Sequence, residues 1–98
     1  MSSRQDFVDY IVDQCSRAGD IAAKKMMGDY CLYCNGKVVG LICDNCLYLK
    51  PIEALKPKLI EIIQKSPYPG AKPHFAIEHI DDKAYLSDLV LTVFNNLT

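Results

Sequence analysis

Four of the five cysteines fall in two C-x2-C pairs, Cys31/Cys34 and Cys43/Cys46. Four thiolates in a tetrahedron, each ~2.3 Å from the metal, are what a structural zinc ion asks for. The competing reading is a thioredoxin-type dithiol, which needs its nucleophile at a helix N-terminus, where the dipole lowers the thiol pKa. The stretch that carries both pairs also reads as strands punctuated by turns. Asn35-Gly36 is a strong hairpin signal, since both residues accept the positive φ of a type I′ turn, and Asp44-Asn45 is a weaker one. A three-stranded meander conflicts with the metal. The six residues from Lys37, the expected partner of Cys34, to Cys43 span ~20 Å of extended chain. Alternation also sets Cys31 on the face opposite the other three cysteines. The meander is therefore preferred, with the thiols as small buried hydrophobes. A zinc module built on Cys31, Cys34, Cys43 and Cys46 is the alternative, and no cofactor is otherwise expected. Cys43 and Cys46 would face each other across their turn and could close a disulfide on oxidation, which is read as incidental.

The remaining polar groups suggest no catalytic constellation. His74 and His79 flank HFAIEHI with opposite strand parity and cannot converge. Asp81-Asp82 reads as a helix cap. No phosphate loop, G-x-S-x-G, H-E-x-x-H or EF-hand pattern occurs. The expectation is a non-enzymatic protein.

The elements that position these residues follow from periodicity. Two-residue turns would set Leu32 opposite Val39 and Leu41 opposite Tyr48. Tyr30, Leu32, Val39, Leu41 and Tyr48 would then share one face, and Cys31, Tyr33, Val38, Ile42, Leu47 and Leu49 the other. Both faces are apolar, so helices should cover one, and a helix, loop or partner the other. Ser3 is placed as the N-cap of a first helix, with Phe7, Tyr10, Ile11 and Cys15 inward and Gly19 at its end. Asp20 is read as the cap of a short second helix closed by Gly28. A third helix is expected from Ile52 to Ser66, with Pro57 in its first main turn. Ser66 to Pro73 is loop by composition, His74–Ile80 a fourth strand, and Asp81 or Asp82 caps a last helix bearing Leu86, Leu89, Val90, Val93, Phe94 and Leu97. The fold class is α+β: an antiparallel sheet with a central three-stranded meander and one further strand, flanked by about four helices. It forms a single domain over residues 1–98.

Composition bounds the function. The chain has 98 residues, half of them hydrophobic, and a formal net charge of −1. That length suffices for one core without a metal or disulfide staple. The densest basic cluster is Arg17, Lys24 and Lys25, too sparse for direct nucleic-acid binding, which rests on phosphate neutralisation. No apolar run approaches the ~20 residues of a membrane span and no h-region follows Met1, so a cytoplasmic protein with reduced thiols is expected.

Five motifs then stand in order: Lys24-Lys-Met-Met-Gly28, Gly28-Asp-Tyr with Tyr33, Gly40-Leu-Ile-Cys-Asp44, Leu47-Tyr-Leu-Lys-Pro51 and Pro67-Tyr-Pro-Gly-Ala-Lys-Pro73. Their order resembles the N-terminal domain of the TfoX/Sxy family, bacterial regulators of competence genes, from Phe7 to Leu97. The resemblance implies an α+β fold with a central antiparallel sheet and no catalytic residues. Full-length members act as transcriptional co-activators beside a cAMP-receptor-type activator and carry a second, helical domain, which is expected to be absent here. Met27 stands where the family's K-M-F-G motif commonly has Phe, and the cysteine pairs are not part of its pattern. The implied role is that of a stand-alone regulatory or protein-interaction domain, whose partner belongs to the transcription machinery or is a second copy in a homodimer. Its working surface is expected at Lys24, Lys25, Met26, Met27 and Tyr30, where charge adjoins soft apolar groups.

Overall fold

A computed structural model describes residues 2–97. Its centre is an antiparallel sheet of six strands among the described residues: β1 (Ile21–Met26), β2 (Asp29–Cys34), β3 (Lys37–Cys43), β4 (Cys46–Leu49), β5 (Gln64–Lys65) and β6 (His74–Ile77). Their order across the sheet is β1-β2-β3-β4-β6-β5. Helix α1 (Gln5–Gln14), a 3-10 turn at Ser16–Ala18 and helix α2 (Lys83–Asn95) cover one face. The α+β class with an antiparallel sheet is as the sequence indicates, but the sheet is larger and the helices are fewer than expected.

Three consecutive type I′ hairpins make the first four strands. The central residues are Met27 and Gly28 (φ 52° and 85°), Asn35 and Gly36 (51° and 82°), and Asp44 and Asn45 (49° and 57°). Two of these turns match the sequence reading. The first corrects it: Ile21–Met26 is a strand, not the expected second helix, and Gly28 closes a hairpin rather than a helix. Ile-Ala-Ala-Lys-Lys-Met has no helix-breaking residue, but its pairing with β2, Ile21 opposite Cys34 through Met26 opposite Asp29, overrides that propensity. Asp20 caps nothing. Its N–H donates to Asn35 Oδ1 (2.9 Å), and its carbonyl accepts the Asn35 N–H (2.8 Å).

Register is also corrected. A β-bulge between β2 and β3 places Leu32 opposite Gly40, with Tyr33 opposite Val38, so Val39 is the extra residue. Leu41 does lie opposite Tyr48. The bulge exchanges half of the expected face assignment. Tyr30, Leu32, Cys34, Val39, Ile42, Leu47 and Leu49 point into the main core with Phe75 and Ile77. On the outer face Tyr48, Cys43 and Ala76 pack together, with Leu41, Cys46 and Ile63 beside them.

The expected third helix is absent. Glu53–Lys58 is a 3-10 segment containing Pro57, and Leu59 is already extended (φ −74°, ψ 131°). Proline lacks the N–H that a continuing helix needs and its ring crowds the preceding turn. The chain instead runs back along the sheet as β5, opposite Phe75 and His74. The Ile63 carbonyl accepts the Ala76 N–H at 2.8 Å. This segment, rather than a helix, lies against part of the outer face. The further strand and the last helix are present, but the strand ends at Ile77 rather than Ile80 and the helix at Asn95, short of Leu97. Asp82 caps α2 by accepting the Tyr85 N–H at 3.0 Å, and Leu86, Leu89, Val90 and Val93 are buried.

At the other end, Arg4 rather than Ser3 holds the N-cap position of α1, with no side-chain cap. Ser3 has a different task. Its N–H donates to Asp29 Oδ1 (3.1 Å), while its hydroxyl accepts the Asn45 N–H (3.0 Å). Asp29 Oδ2 accepts the Asp44 N–H (2.8 Å), and Asn45 Oδ1 accepts the Arg4 N–H (2.8 Å). The segment before α1 thus ties the first hairpin turn to the third.

Candidate functional site: the Met26–Met27 hairpin tip

The four paired cysteines are not brought together. Cys34 lies beside the second turn, opposite Lys37, and faces the core. Cys43 and Cys46 oppose each other at the third turn. Cys31, opposite Leu41, shares the outer face with those two. Cys34, not Cys31, is therefore the odd one out, because the bulge shifts the parity of β3. Among the described residues no group of three or more His, Cys, Asp or Glu side chains is arranged to hold a metal ion.

Burial decides the character of the thiols. It pushes Cys15 up to about 12, with neighbouring Cys34 adding to the effect. Cys43 rises to about 11, mainly by burial and then by the Asp29 carboxylate. Burial raises Cys31 despite the opposing pull of Lys50. Thiols held protonated are poor nucleophiles, the reverse of what a dithiol enzyme needs. The sign for stability follows. A folded pKa above the unfolded value of 9.0 leaves stability intact below pH 9 and removes it as pH climbs toward 11–12. The urea midpoint is expected to fall above pH 9, and to fall less steeply in Cys15→Ala. An identical slope in that variant would contradict the assignment. The histidines are occupied separately. A His74 ring nitrogen lies 2.8 Å from the Lys72 carbonyl, and His79 Nε2 lies 3.5 Å from Glu61 Oε1.

The residues expected to form a working surface cluster at one end of the sheet. Lys24 and Lys25 lie on β1, an edge strand, and the Lys24 ammonium sits 5.1 Å from the Tyr33 ring centroid. Met26 is 48% exposed and Met27, at the apex, 93%. Tyr30 differs from the rest: it is 9% exposed, packs in the core and donates its hydroxyl to Gln5 Oε1 at 3.0 Å. It supports the tip more than it presents a surface.

Beside the tip lies a cleft of about 660 Å³. Met26, Met27 and Tyr30 form one side, Leu41 and Cys43 belong to the outer sheet face, and Pro67, Tyr68 and Pro69 come from the loop after β5. That volume is within the range of ligand and anchor-residue pockets, and its lining is mostly apolar. Pro67, Tyr68 and Pro69 are site residues that the sequence pattern does not single out. The only signal for them was an outer sheet face too apolar to be left bare.

A one-sided helical layer on an antiparallel sheet, with an apolar hairpin tip at a cleft, defines a small α+β domain. The chain belongs to the TfoX N-terminal domain family, whose model matches residues 13–89. It is also 32% identical over 84 residues to a protein of Spirochaeta aurantia described as an uncharacterized 12.7 kDa protein in the trpE 5′ region, covering 86% of this chain and 73% of that one. No helix among the described residues is long and apolar enough to cross a membrane.

Proposed function

We propose that this chain is a non-enzymatic regulatory domain that docks onto a protein partner through the Met26–Met27 tip and its cleft. Lys24 and Lys25 flank that contact and Tyr30 braces it. The partner fits the family's regulatory role: a cytoplasmic protein of the transcription machinery, which would insert an apolar side chain between the methionines and Tyr68.

The observation that carries this reading is Met27 itself. Of the three type I′ turns, two place Asn35 or Asp44 at the first left-handed position, residues whose short polar side chains tolerate that conformation. The remaining one places a long apolar residue there, almost wholly exposed. Left-handed backbone costs a residue of this kind about 1 kcal/mol. Neither core packing nor turn chemistry repays that cost in the free chain, whereas a contact does.

Met27→Asn separates the two effects. The variant is expected to raise the stability by about 1 kcal/mol in urea unfolding, since it gives the first turn the residue of the second. It is expected to lose the partner recovered by wild-type protein carrying a C-terminal tag. Retention of every wild-type partner by Met27→Asn, and by a Lys24→Ala/Lys25→Ala/Met27→Asn triple variant, would remove the proposal.

A further inference from the structure

Among the described residues the edge of the sheet at β1 pairs with no other strand than β2. The Asp20–Asn35 bond fixes the alternation of the ladder, so Ala22, Lys24 and Met26 bond to β2 while Ile21, Ala23 and Lys25 turn their N–H and C=O groups outward. Among the described residues nothing accepts from or donates to those groups. The strand has no proline and no bulge, two of the usual means of blunting an edge.

We propose that this edge pairs with β1 of a second copy, antiparallel about a two-fold axis at Ala23. Ala23 would then oppose its own counterpart, and Ile21 would oppose Lys25 of the other copy, forming about six main-chain hydrogen bonds and one continuous sheet. The charges suit this register. Asp20 lies on the outer face, the same face as Lys24 by strand alternation, and its carboxylate accepts no hydrogen bond among the described residues. In the paired edge each Asp20 stands diagonal to Lys24 of the other copy, within reach of a long side chain. Lys24 leaves its seat over Tyr33 to make that pair. An axis at Lys24 or Lys25 would instead set lysine against lysine, and an axis at Ala22 would shorten the ladder. A hetero-partner's strand could use the same main-chain groups, but only a second copy supplies both Asp20–Lys24 pairs from this sequence. The two Met27 tips would lie at opposite ends of the joint, free for docking.

The test is sedimentation velocity of the purified, reduced chain over roughly 1 to 100 µM, the range suited to a small edge interface. The expected result is a reversible monomer–dimer equilibrium. Asp20→Lys and Lys24→Asp should each raise the dissociation constant about tenfold, and the double swap should restore it. Ala23→Pro removes an outward N–H and leaves the β1–β2 ladder intact, so it should abolish the dimer while the far-ultraviolet spectrum stays that of wild type. A monomer at every concentration, a dimer indifferent to these variants, or a double swap that fails to restore would each overturn the proposal. A monomer that still captures a partner through Met27 would do so while leaving the docking reading in place.

Discussion

Gly40→Ala is expected to destabilise the domain by about 3 kcal/mol or more, against a total of about 5–15 kcal/mol for a chain of this size. A Cβ on Gly40 would collide with the Tyr48 carbonyl oxygen and come within 3.2 Å of Leu49 Cα. Both are backbone atoms, so no rotamer change relieves the clash. Gly40 faces Leu32 on one side and Leu49 on the other, one residue past the bulged Val39, whose carbonyl accepts the Lys50 N–H at 3.1 Å. To admit a methyl group β3 and β4 must separate, and the register that puts Ile42 and Leu47 in the core is set by that pair. A fall in melting temperature of at least about 12 °C is expected by calorimetry. A fall of only a few degrees would show that the bulge can relax and that Gly40 is not what fixes it.

Phe75→Ala is expected to be of similar or larger effect, about 3–5 kcal/mol. Phe75 is among the largest fully buried side chains, and it joins two parts of the fold distant in sequence. It pairs with Leu49 on β4 and with Gln64 on β5. Truncating it leaves a cavity beneath the strand that holds the returning segment. Urea unfolding at unchanged m would report a simple loss of packing, whereas a reduced m would mean that β5 had already come away. A midpoint close to wild type would show that the helices collapse to fill the space.

Both residues lie where the sequence was least informative. The Asn35-Gly36 and Asp44-Asn45 turns were legible because their residue types belong to left-handed backbone. The turn at Met27-Gly28 was not, because methionine is foreign to that conformation and Gly28 serves equally as a helix stop. Ile21–Met26 consequently read as a helix, and only the facing strand decides otherwise. The bulge is invisible for another reason. One extra residue in β3 changes no composition or period, yet it reverses which of Cys31 and Cys34 faces the core. Pro57 is a visible obstacle to a helix, but its full consequence, an extended return instead of a helix, depends on the open sheet edge at β6. The last helix was legible, since Asp82 and the buried Leu86, Leu89, Val90 and Val93 agree locally and globally. Of the candidate site, the residues from Lys24 to Met27 were found from charge and softness, whereas the Pro67–Pro69 side of the cleft required the chain path.

The tie between Ser3 and Asp29 bears on how such a protein should be handled. Ser2 lines the cleft, and Ser3 is bonded to the residue two places after the exposed methionine. Any affinity handle or fluorescent fusion placed ahead of Ser2 would emerge at the mouth of the cleft and crowd Met26 and Met27. If a partner docks at that tip as proposed, a capture experiment designed that way would return an empty result for a steric reason, while the same handle appended after α2 would leave the hairpin clear.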